Sequence, residues 1–355
     1  MNDQKKLKSL ISPLLIWYEK NKRNLPWRND PTPYHVWISE IMLQQTRIEA
    51  VIPYYERFLR ELPDVASLAS VSDDRLMKLW EGLGYYSRAR NLKKAACTIM
   101  EKYDGHLPNT AKELRSLSGI GDYTAGAIAS ISFGEPEPAV DGNVLRVIMR
   151  CLGKTDDIAL QATKKETADA LRAVYPSGED AKNLTQAIME LGESVCIPNG
   201  QPKCTLCPLA SICSAKAENL TDSIPVKSPK KPRKQEPKTV FLLSCRGHYA
   251  ICQRPETGLL AKLWEFPNSQ GNLSEEEAFE QLSAWGLSPV GIFPCGDAVH
   301  IFTHIEWHMT GYAAECLYPS ERFVWKSAEE ILSDYAIPSA FRAYISYIKN
   351  ELKGS

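Results

Sequence analysis

Apolar residues recur at three- and four-residue intervals through the first two thirds of the chain. Leu10, Leu14 and Tyr18 follow this spacing, and so do Trp37 and Ile41. The interval places such residues on one face of a helix, and the alternation typical of strands is scarce here. This part is therefore predicted to be an assembly of helices. Its predicted helix breaks are Pro53, Pro63, Pro108 and Pro138, and its predicted capping segments are residues 72–74 and 109–110.

The pattern changes after Lys238. Residues 239–253 and 299–312 are rich in β-branched and aromatic side chains, which favours strands. Between them, Ser274 and Glu277 predict a capping box at the start of a helix. The second part is therefore predicted to be mixed α and β. Residues 223–238, with four prolines and no aromatic residue, are predicted to form an extended, solvated linker.

Length and charge sharpen this division. A chain of 355 residues is too long for one small hydrophobic core, so more than one domain is expected. The charges of its 42 basic and 43 acidic residues nearly cancel. Residues 1–238 nevertheless carry 34 basic and 29 acidic residues, whereas residues 239–355 carry 8 and 14. The basic excess favours a polyanionic partner for the helical part, with a chance imbalance as the alternative. The sequence contains neither an apolar run of membrane-spanning length nor a signal peptide, so we expect a cytoplasmic protein without membrane contact.

Four of the ten cysteines lie within 18 residues, and their spacing is typical of metal ligation. Cys196, Cys204, Cys207 and Cys213 are separated by seven, two and five residues. Four thiolates suit either a zinc ion or an iron–sulfur cluster, and the spacing alone leaves both open. A single Cys-x-x-Cys pair, where zinc ribbons usually have two, favours the cluster. Core cysteines without a ligand are the remaining alternative.

Two glycines indicate a tight turn that could bind phosphate. Gly119 and Gly121 lie between a helix predicted to end at Leu117 and another starting near Asp122. Glycine lets a phosphate approach the backbone closely, and amides at a helix N-terminus bind anions. This is the pattern of a helix-hairpin-helix, although an ordinary turn between helices would have the same sequence.

Two carboxylates are candidates for acid and anion chemistry. Glu40 has the apolar helical neighbours Trp37 and Leu43, and burial among them would raise its pKa and suit a general acid. An ion pair with Arg47 is the competing interpretation. Asp141 starts an apolar helix, where the helix dipole favours a carboxylate, although it could simply be an N-cap.

Together these segments resemble the helix-hairpin-helix DNA glycosylases with an iron–sulfur loop, most closely the adenine DNA glycosylase (MutY) family. The matching segments are residues 25–28, 40–46, 82–91, 140–143 and 186–192, followed by the cysteine loop. The resemblance implies a multidomain protein: an all-α glycosylase followed by an α+β Nudix-like domain. The implied domains are a six-helix barrel at 32–141, a 4Fe-4S cluster domain from 1–31 and 142–222, the linker 223–238, and the Nudix-like domain at 239–355.

The resemblance also assigns roles to single residues. It implies that Glu40 protonates the leaving adenine, that Asp141 stabilises positive charge on the sugar, and that Tyr123 and Asn143 contact that sugar. The positions expected around the flipped base and its backbone are Trp27, Arg28, Thr46, Leu83, Gly84 and Gln186. Gln45 and Tyr85 are expected to occupy or wedge the vacated stack. Endonuclease III-type enzymes, which also cleave the strand, carry lysine at the position of Tyr123, so strand cleavage should be weak or absent.

The last domain is expected to read the opposite base. Residues 258–267 resemble the lead-in to a Nudix fold, but Glu275 to Glu280 lack the Arg-Glu-x-x-Glu-Glu order that holds magnesium. The family reads 8-oxoguanine through a Phe-Ser-His loop, here Phe302-Thr303-His304. The first cysteine spacing also departs from the family, with seven residues in place of six.

These features predict a monomeric, monofunctional glycosylase that removes adenine opposite 8-oxoguanine in duplex DNA. In a bacterium it would be associated with the nucleoid. A magnesium-dependent nucleotide pyrophosphohydrolase and a non-catalytic DNA-binding protein are the alternatives.

Overall fold

The computed structural model describes residues 2–229 and 232–354, and the chain forms two compact units. The first unit contains residues 2–70 and 90–229, and the second contains residues 71–89 and 232–354. A helical stretch therefore groups with the C-terminal part of the chain. Among the described residues, no helix is long and apolar enough to cross a membrane.

The first unit is helical, and its described residues include no strand. Its helices are α1 (Asp3–Asn21), α2 (Pro26–Asn29), α3 (Pro33–Leu43), α4 (Ile48–Glu61), α5 (Val65–Ser70), α7 (Ser87–Lys102, from residue 90 onward), α8 (Ala111–Leu114), α9 (Asp122–Phe133), α10 (Gly142–Leu152), α11 (Gln161–Arg172), α12 (Glu179–Ser194) and α13 (Ser214–Ala217), with a 3₁₀ turn at Cys204–Leu206.

Local signals set most helix ends. Thr110 caps α8 by accepting a hydrogen bond from the amide of Glu113, and Pro63, Pro108 and Pro138 lie outside helices, as predicted. The break predicted at Pro53 is wrong, because Pro53 lies inside α4. Burial of an apolar face of α4 outweighs the one hydrogen bond that proline removes. The buried residues of α4 are Ile48, Val51, Tyr55 and Phe58.

The core of the first unit joins helices from distant parts of the chain. Leu10 and Leu14 of α1 pack with Val147 of α10 and Leu191 of α12. Gly192 allows α12 to approach α10 closely, since a Cβ at this position would lie 2.7 Å from the Cβ of Asn143. The packing therefore fixes the start of α10, which carries Asp141 and Asn143.

The second unit is mixed α and β, as predicted. Its elements are α6 (Asp73–Trp80), β1 (Lys234–Cys245), β2 (His248–Gln253), β3 (Trp264–Glu265), β4 (Asn268–Gln270), α14 (Glu275–Ala284), β5 (Pro289–Ile301), β6 (Ile305–Cys316), β7 (Val324–Ser327), α15 (Ala328–Asp334), a 3₁₀ turn at Ser339–Phe341 and α16 (Arg342–Gly354). Ser274 and Glu277 form the predicted capping box of α14.

Seven strands form the sheet: five follow the order β3-β2-β1-β6-β5, β4 pairs with β1 and β7 pairs with β2. Strands β1 and β6 are parallel, whereas β5 and β6 form an antiparallel hairpin. Val240 and Leu242 pack on one face of the sheet, against α15 and α16. Phe241 and Leu243 pack on the other face, against α14. Burial on both faces explains the unbroken apolar run in β1.

The predicted linker is anchored at both ends. Ile224 is fully buried in the first unit, and the amide of Ile158 donates to the carbonyl of Val226. Strand β1 begins at Lys234, and Lys238 is buried. The ends of this segment are therefore not solvated, whereas residues 226–229 and 232–235 are exposed, as expected of a solvated linker. Although the segment has no aromatic residue, burial of Ile224 anchors its start and pairing of β1 with β6 anchors its end.

Candidate active site

Glu40 is buried near the end of α3, and its carboxylate accepts a hydrogen bond from the hydroxyl of Tyr123 at 2.6 Å. The pKa of Glu40 is raised to about 7, chiefly by burial; the hydrogen bond from Tyr123 lowers it, the charge of Asp141 raises it and Arg28 lowers it. Arg47 lies outside this helix, as the N-cap of α4. The carboxylate therefore contacts Tyr123 rather than forming the alternative Arg47 pair, and it can hold a proton near neutral pH.

Asp141 is the N-cap of α10, and its two oxygens are both occupied. Oδ1 accepts from the amide of Val144 at 2.8 Å, and Oδ2 accepts from the side-chain amide of Asn143 at 2.9 Å. Arg146 in turn donates to Asn143 Oδ1 at 2.7 Å and to the carbonyl of Cys196. Burial raises the pKa of Asp141, while the hydrogen bonds from Val144 and Asn143 lower it. Asp141 is therefore the N-cap of α10 and, through the same contacts, a carboxylate held in a fixed position.

A cavity of about 210 Å³ collects all four residues predicted to act on the base or the sugar and four of the predicted contact residues. Its lining includes Glu40 and Asp141, with eight predicted positions in all. These are Trp27, Arg28, Glu40, Thr46, Tyr123, Asp141, Asn143 and Gln186. Residues from α2, α3, α9, α10 and α12, or next to them in the chain, therefore converge on one pocket, although they are separated by more than 150 positions in the sequence.

Arg28 is held in this pocket by Glu190, a residue that was not predicted to belong to the site. Glu190 on α12 is almost fully buried, and it accepts from Arg28 Nη2 at 2.7 Å and from Arg23 Nε. Arg23 also contacts the more exposed Glu193. Glu190 lies within segment 186–192, which matches the family, so the sequence offered it as a candidate. Its distance along the chain from α2 gave no indication that it pairs with Arg28.

The pocket opens into a groove of about 920 Å³ that the glycine turn borders. Glu40, Tyr123 and Asp141 line both volumes. Gly119 and Gly121 lie at the groove. Gly119 has a φ of +76°, and a Cβ there would lie 2.6 Å from the Cβ of Asn91, so this position requires glycine.

The groove shows two further differences from the predictions. The helix expected to end at Leu117 ends at Leu114, and a turn fills the remaining residues because the chain must reach Gly119. Lys164 and Lys165 of α11 line the groove, although neither was predicted to lie at the site. Gln45 lies at the groove with a φ of +60°.

The remaining predicted contact residues belong to the second unit. Leu83 is buried there, and Gly84 and Tyr85 both have a positive φ. Thr303 lies in the turn between β5 and β6, and its hydroxyl is 2.8 Å from the hydroxyl of Tyr85. Phe302 packs on Trp307 and His304 is exposed. The structure thus brings the predicted wedge Tyr85 and the predicted reading turn together.

The four clustered cysteines line one small cavity in the first unit. Among the residues described, no group of three or more His, Cys, Asp or Glu side chains is arranged to hold a single metal ion. All four thiols are free of disulfides, and Arg150 Nη1 donates to Cys196 Sγ at 3.3 Å. Four thiols around one volume with a cation beside them match the donor set of an iron–sulfur cluster. The buried Cys151 lines the same cavity and was not predicted.

Comparison with known proteins decides the family. Residues 38–176 match the HhH-GPD superfamily of base excision DNA repair proteins, and residues 239–347 match the NUDIX domain. The mouse adenine DNA glycosylase is 34% identical over 97% of this chain and 79% of its own length. The enzyme of Buchnera aphidicola from Acyrthosiphon pisum is 34% identical over 89% of both chains. This chain belongs to the adenine DNA glycosylase family.

Membership confirms the helix-hairpin-helix and Nudix-like fold class and the activity. The enzyme is an adenine DNA glycosylase that binds DNA and hydrolyses the N-glycosidic bond of adenine in base excision repair. A thermostable thymine-DNA glycosylase of known structure, 27% identical, aligns with a TM-score of 0.55 over 60% of this chain and 98% of its own. The family implies an iron–sulfur cluster in general.

The comparison also sets aside the two alternatives, the pyrophosphohydrolase and the non-catalytic binder. On α14 of the Nudix-like domain, Glu277 is engaged in the capping box. The helix does not carry the arginine of the magnesium motif.

Proposed function

We propose that the enzyme removes adenine paired with 8-oxoguanine, and that Glu40 and Asp141 carry the chemistry. The observation that supports this most strongly is the single cavity in which Tyr123 donates to a buried Glu40 close to the capped Asp141. One group can hold a proton at neutral pH, and the other is fixed as an acceptor. This pair is what cleavage of an N-glycosidic bond requires.

Glu40 gives its proton to N7 of the flipped adenine. The electron pair of the bond between the base and C1′ then leaves with the base, and the sugar gains positive charge. Asp141 stabilises that charge with a carboxylate whose position is set by Val144 and Asn143. Water adds to C1′, passes a proton to the now ionised carboxylate of Glu40, and leaves an abasic site. Tyr123 holds Glu40 in place by donating to its carboxylate.

Residues around the pocket hold the extruded base. Arg28, fixed by Glu190, and Trp27, Thr46 and Gln186 form the walls that the adenine meets. Gln45 fills the space that the base leaves in the stack. Gly119 and Gly121 bind a phosphate through backbone amides at the start of α9, and Lys164 and Lys165 add positive charge along the groove.

The turn Phe302-Thr303-His304 reads the base opposite the adenine, with Tyr85 beside it. Thr303 offers a hydroxyl that can contact the oxidised base, as serine does in the family pattern. Gly84 gives the wedge loop its left-handed turn. Because the second domain is net negative, this reading depends on a few contacts rather than on bulk charge.

Cys196, Cys204, Cys207 and Cys213 would hold a 4Fe-4S cluster, which when bound supplies a rigid cross-link of the loop. The extra residue between the first two ligands is accommodated in the turn that includes Gly200. The protein purified under anaerobic conditions should contain ~4 iron atoms per chain and show broad visible absorbance. The variant Cys204→Ser should lose both, whereas Cys97→Ser, far along the chain from the loop, should lose neither. One tightly bound zinc without iron would contradict the assignment.

A single-turnover assay on two duplexes tests the whole proposal. Adenine opposite 8-oxoguanine should be released faster than adenine opposite guanine, and EDTA should not slow either reaction. Because Tyr123 provides no amine, the product strand should stay intact until it is treated with alkali. Equal rates on the two duplexes would exclude reading of 8-oxoguanine. Strand breaks without alkali would exclude a monofunctional reaction.

A further inference from the structure

A helical arm from the first quarter of the chain is built into the second unit. The arm consists of residues 72–88: helix α6, the loop that carries Tyr85, and the start of α7. Ser72 caps α6 by accepting from the amide of Arg75. The arm thus groups with the fold that carries the reading turn.

Two charged side chains at the end of α6 attach the arm to the segment after α15. Lys78 Nζ donates to the carbonyl of Tyr335 at 3.1 Å, and Glu81 Oε1 accepts from the amide of Ile337 at 3.1 Å. The two side chains also pair with each other, with Nζ and Oε2 at 2.8 Å. Lys78 is mostly buried and Glu81 about two thirds buried, so these hydrogen bonds are charge-assisted and shielded from water.

The loop that follows Glu81 is held by hydrogen bonds, so it links the position of α6 to that of Tyr85. Arg88 donates to the carbonyls of Leu83 and Gly84 at 2.9 and 3.2 Å, and the indole of Trp80 donates to Gly84 at 3.0 Å. The guanidinium of Arg88 also lies 5.7 Å from the ring of Tyr85. The loop therefore has little freedom relative to α6.

At its far end the loop meets the reading turn. The hydroxyls of Tyr85 and Thr303 lie 2.8 Å apart, and the backbone of the turn is closed by a hydrogen bond from Phe302 N to Ile305 O. Two attachments, one at residues 78 and 81 and one at Tyr85, thus fix the arm on the reading domain.

We propose that Lys78 and Glu81 are positioning residues for recognition of the base opposite adenine. They set the position of Tyr85 against Thr303, so they act on specificity without touching DNA or the excision chemistry. This inference rests on the proposed reading of 8-oxoguanine by Thr303. Its consequence is that specificity is set partly by a contact between α6 and the chain after α15.

The test measures single-turnover rates on adenine opposite 8-oxoguanine and opposite guanine. Glu81→Gln and Lys78→Met should each lower the preference for 8-oxoguanine about tenfold, with the rate opposite guanine unchanged. Lys78→Arg, which can keep both contacts, should retain the preference. The matched control is Glu19→Gln, which removes an exposed pair of the same spacing with Lys22 on α1 and should change neither rate.

A double-mutant cycle with Thr303→Val gives the decisive measurement. If Glu81 acts through the Tyr85 and Thr303 contact, Glu81→Gln should lower the preference little further once Thr303 is valine. Additive losses, an unchanged preference in Glu81→Gln, or an equal loss on both duplexes would each overturn the inference. If the unmodified enzyme shows no preference for 8-oxoguanine, the proposed reading of that base fails together with this inference. If the unmodified enzyme shows the preference but the variants behave otherwise than expected, only the inference on Lys78 and Glu81 fails.

Discussion

Replacement of Glu40 by glutamine is expected to slow adenine release by about 10²- to 10⁴-fold, which is the usual contribution of a general acid. The amide keeps the size of the side chain and can still accept from Tyr123, so binding of lesion DNA should persist. In the unmodified enzyme the rate should fall as pH rises above about 7, where Glu40 loses its proton. Single-turnover rates from pH 5 to 9 measure both effects.

The same substitution should stabilise the protein at high pH. The pKa of Glu40 is raised from 4.5 to about 7 on folding, so the native state binds the proton more tightly and its stability falls as pH rises through 7. Glutamine removes the cost of burying an ionised carboxylate. The free energy of unfolding of the variant should therefore exceed that of the parent by up to about 3 kcal/mol above pH 8, and should equal it below pH 4. Glu49→Gln, at an exposed site on α4, is the control. Undiminished adenine release by Glu40→Gln would refute the assignment of this acid.

Replacement of Glu190 by alanine should lower the free energy of unfolding by about 3–5 kcal/mol, because it leaves charges beside the pocket without their buried partner. Glu190 is 1% exposed and binds both Arg23 and Arg28. Arg23 is partly exposed, so the lower end of this range is expected. Denaturant titration at pH 7 provides the measurement.

Glu193→Ala is the matched control for Glu190. Glu193 binds the same Arg23 at 2.7 Å from the same helix, but its side chain is 43% exposed. An exposed pair contributes at most about 1 kcal/mol, so this variant should unfold almost like the parent enzyme. Equal losses in the two variants would show that burial is not what makes Glu190 important.

The sequence was sufficient for the parts of the site that depend on local chemistry. Apolar neighbours at helical spacing predicted that Glu40 is buried. The position of Asp141 at the start of an apolar helix identified it as a candidate N-cap. The capping box at Ser274 was equally readable, because both partners lie within one turn. Residue roles beyond this came from the family resemblance and stay predictions.

Contacts between distant segments could not be read in the same way. Glu190 and Arg28 are separated by 162 positions, and Tyr85 and Thr303 by 218. No spacing rule connects such pairs, because the packing of whole helices and strands brings them together. The two departures at prolines also depend on packing: an apolar face of α4 is buried despite Pro53, and β1 includes Pro237 because it pairs with β6.

The early start of β1 bears on how the reading domain could be isolated. Lys234 to Lys238 pair with Ile305 to Met309 of β6, and the amide of Lys234 donates to the carbonyl of His304 in the reading turn. A fragment cut where the apolar run begins, at residue 239, would lose these five pairs. The start of β6 would then present one open edge, the kind of surface on which strands of other molecules assemble. A faithful excised domain must therefore keep its basic, proline-containing leader.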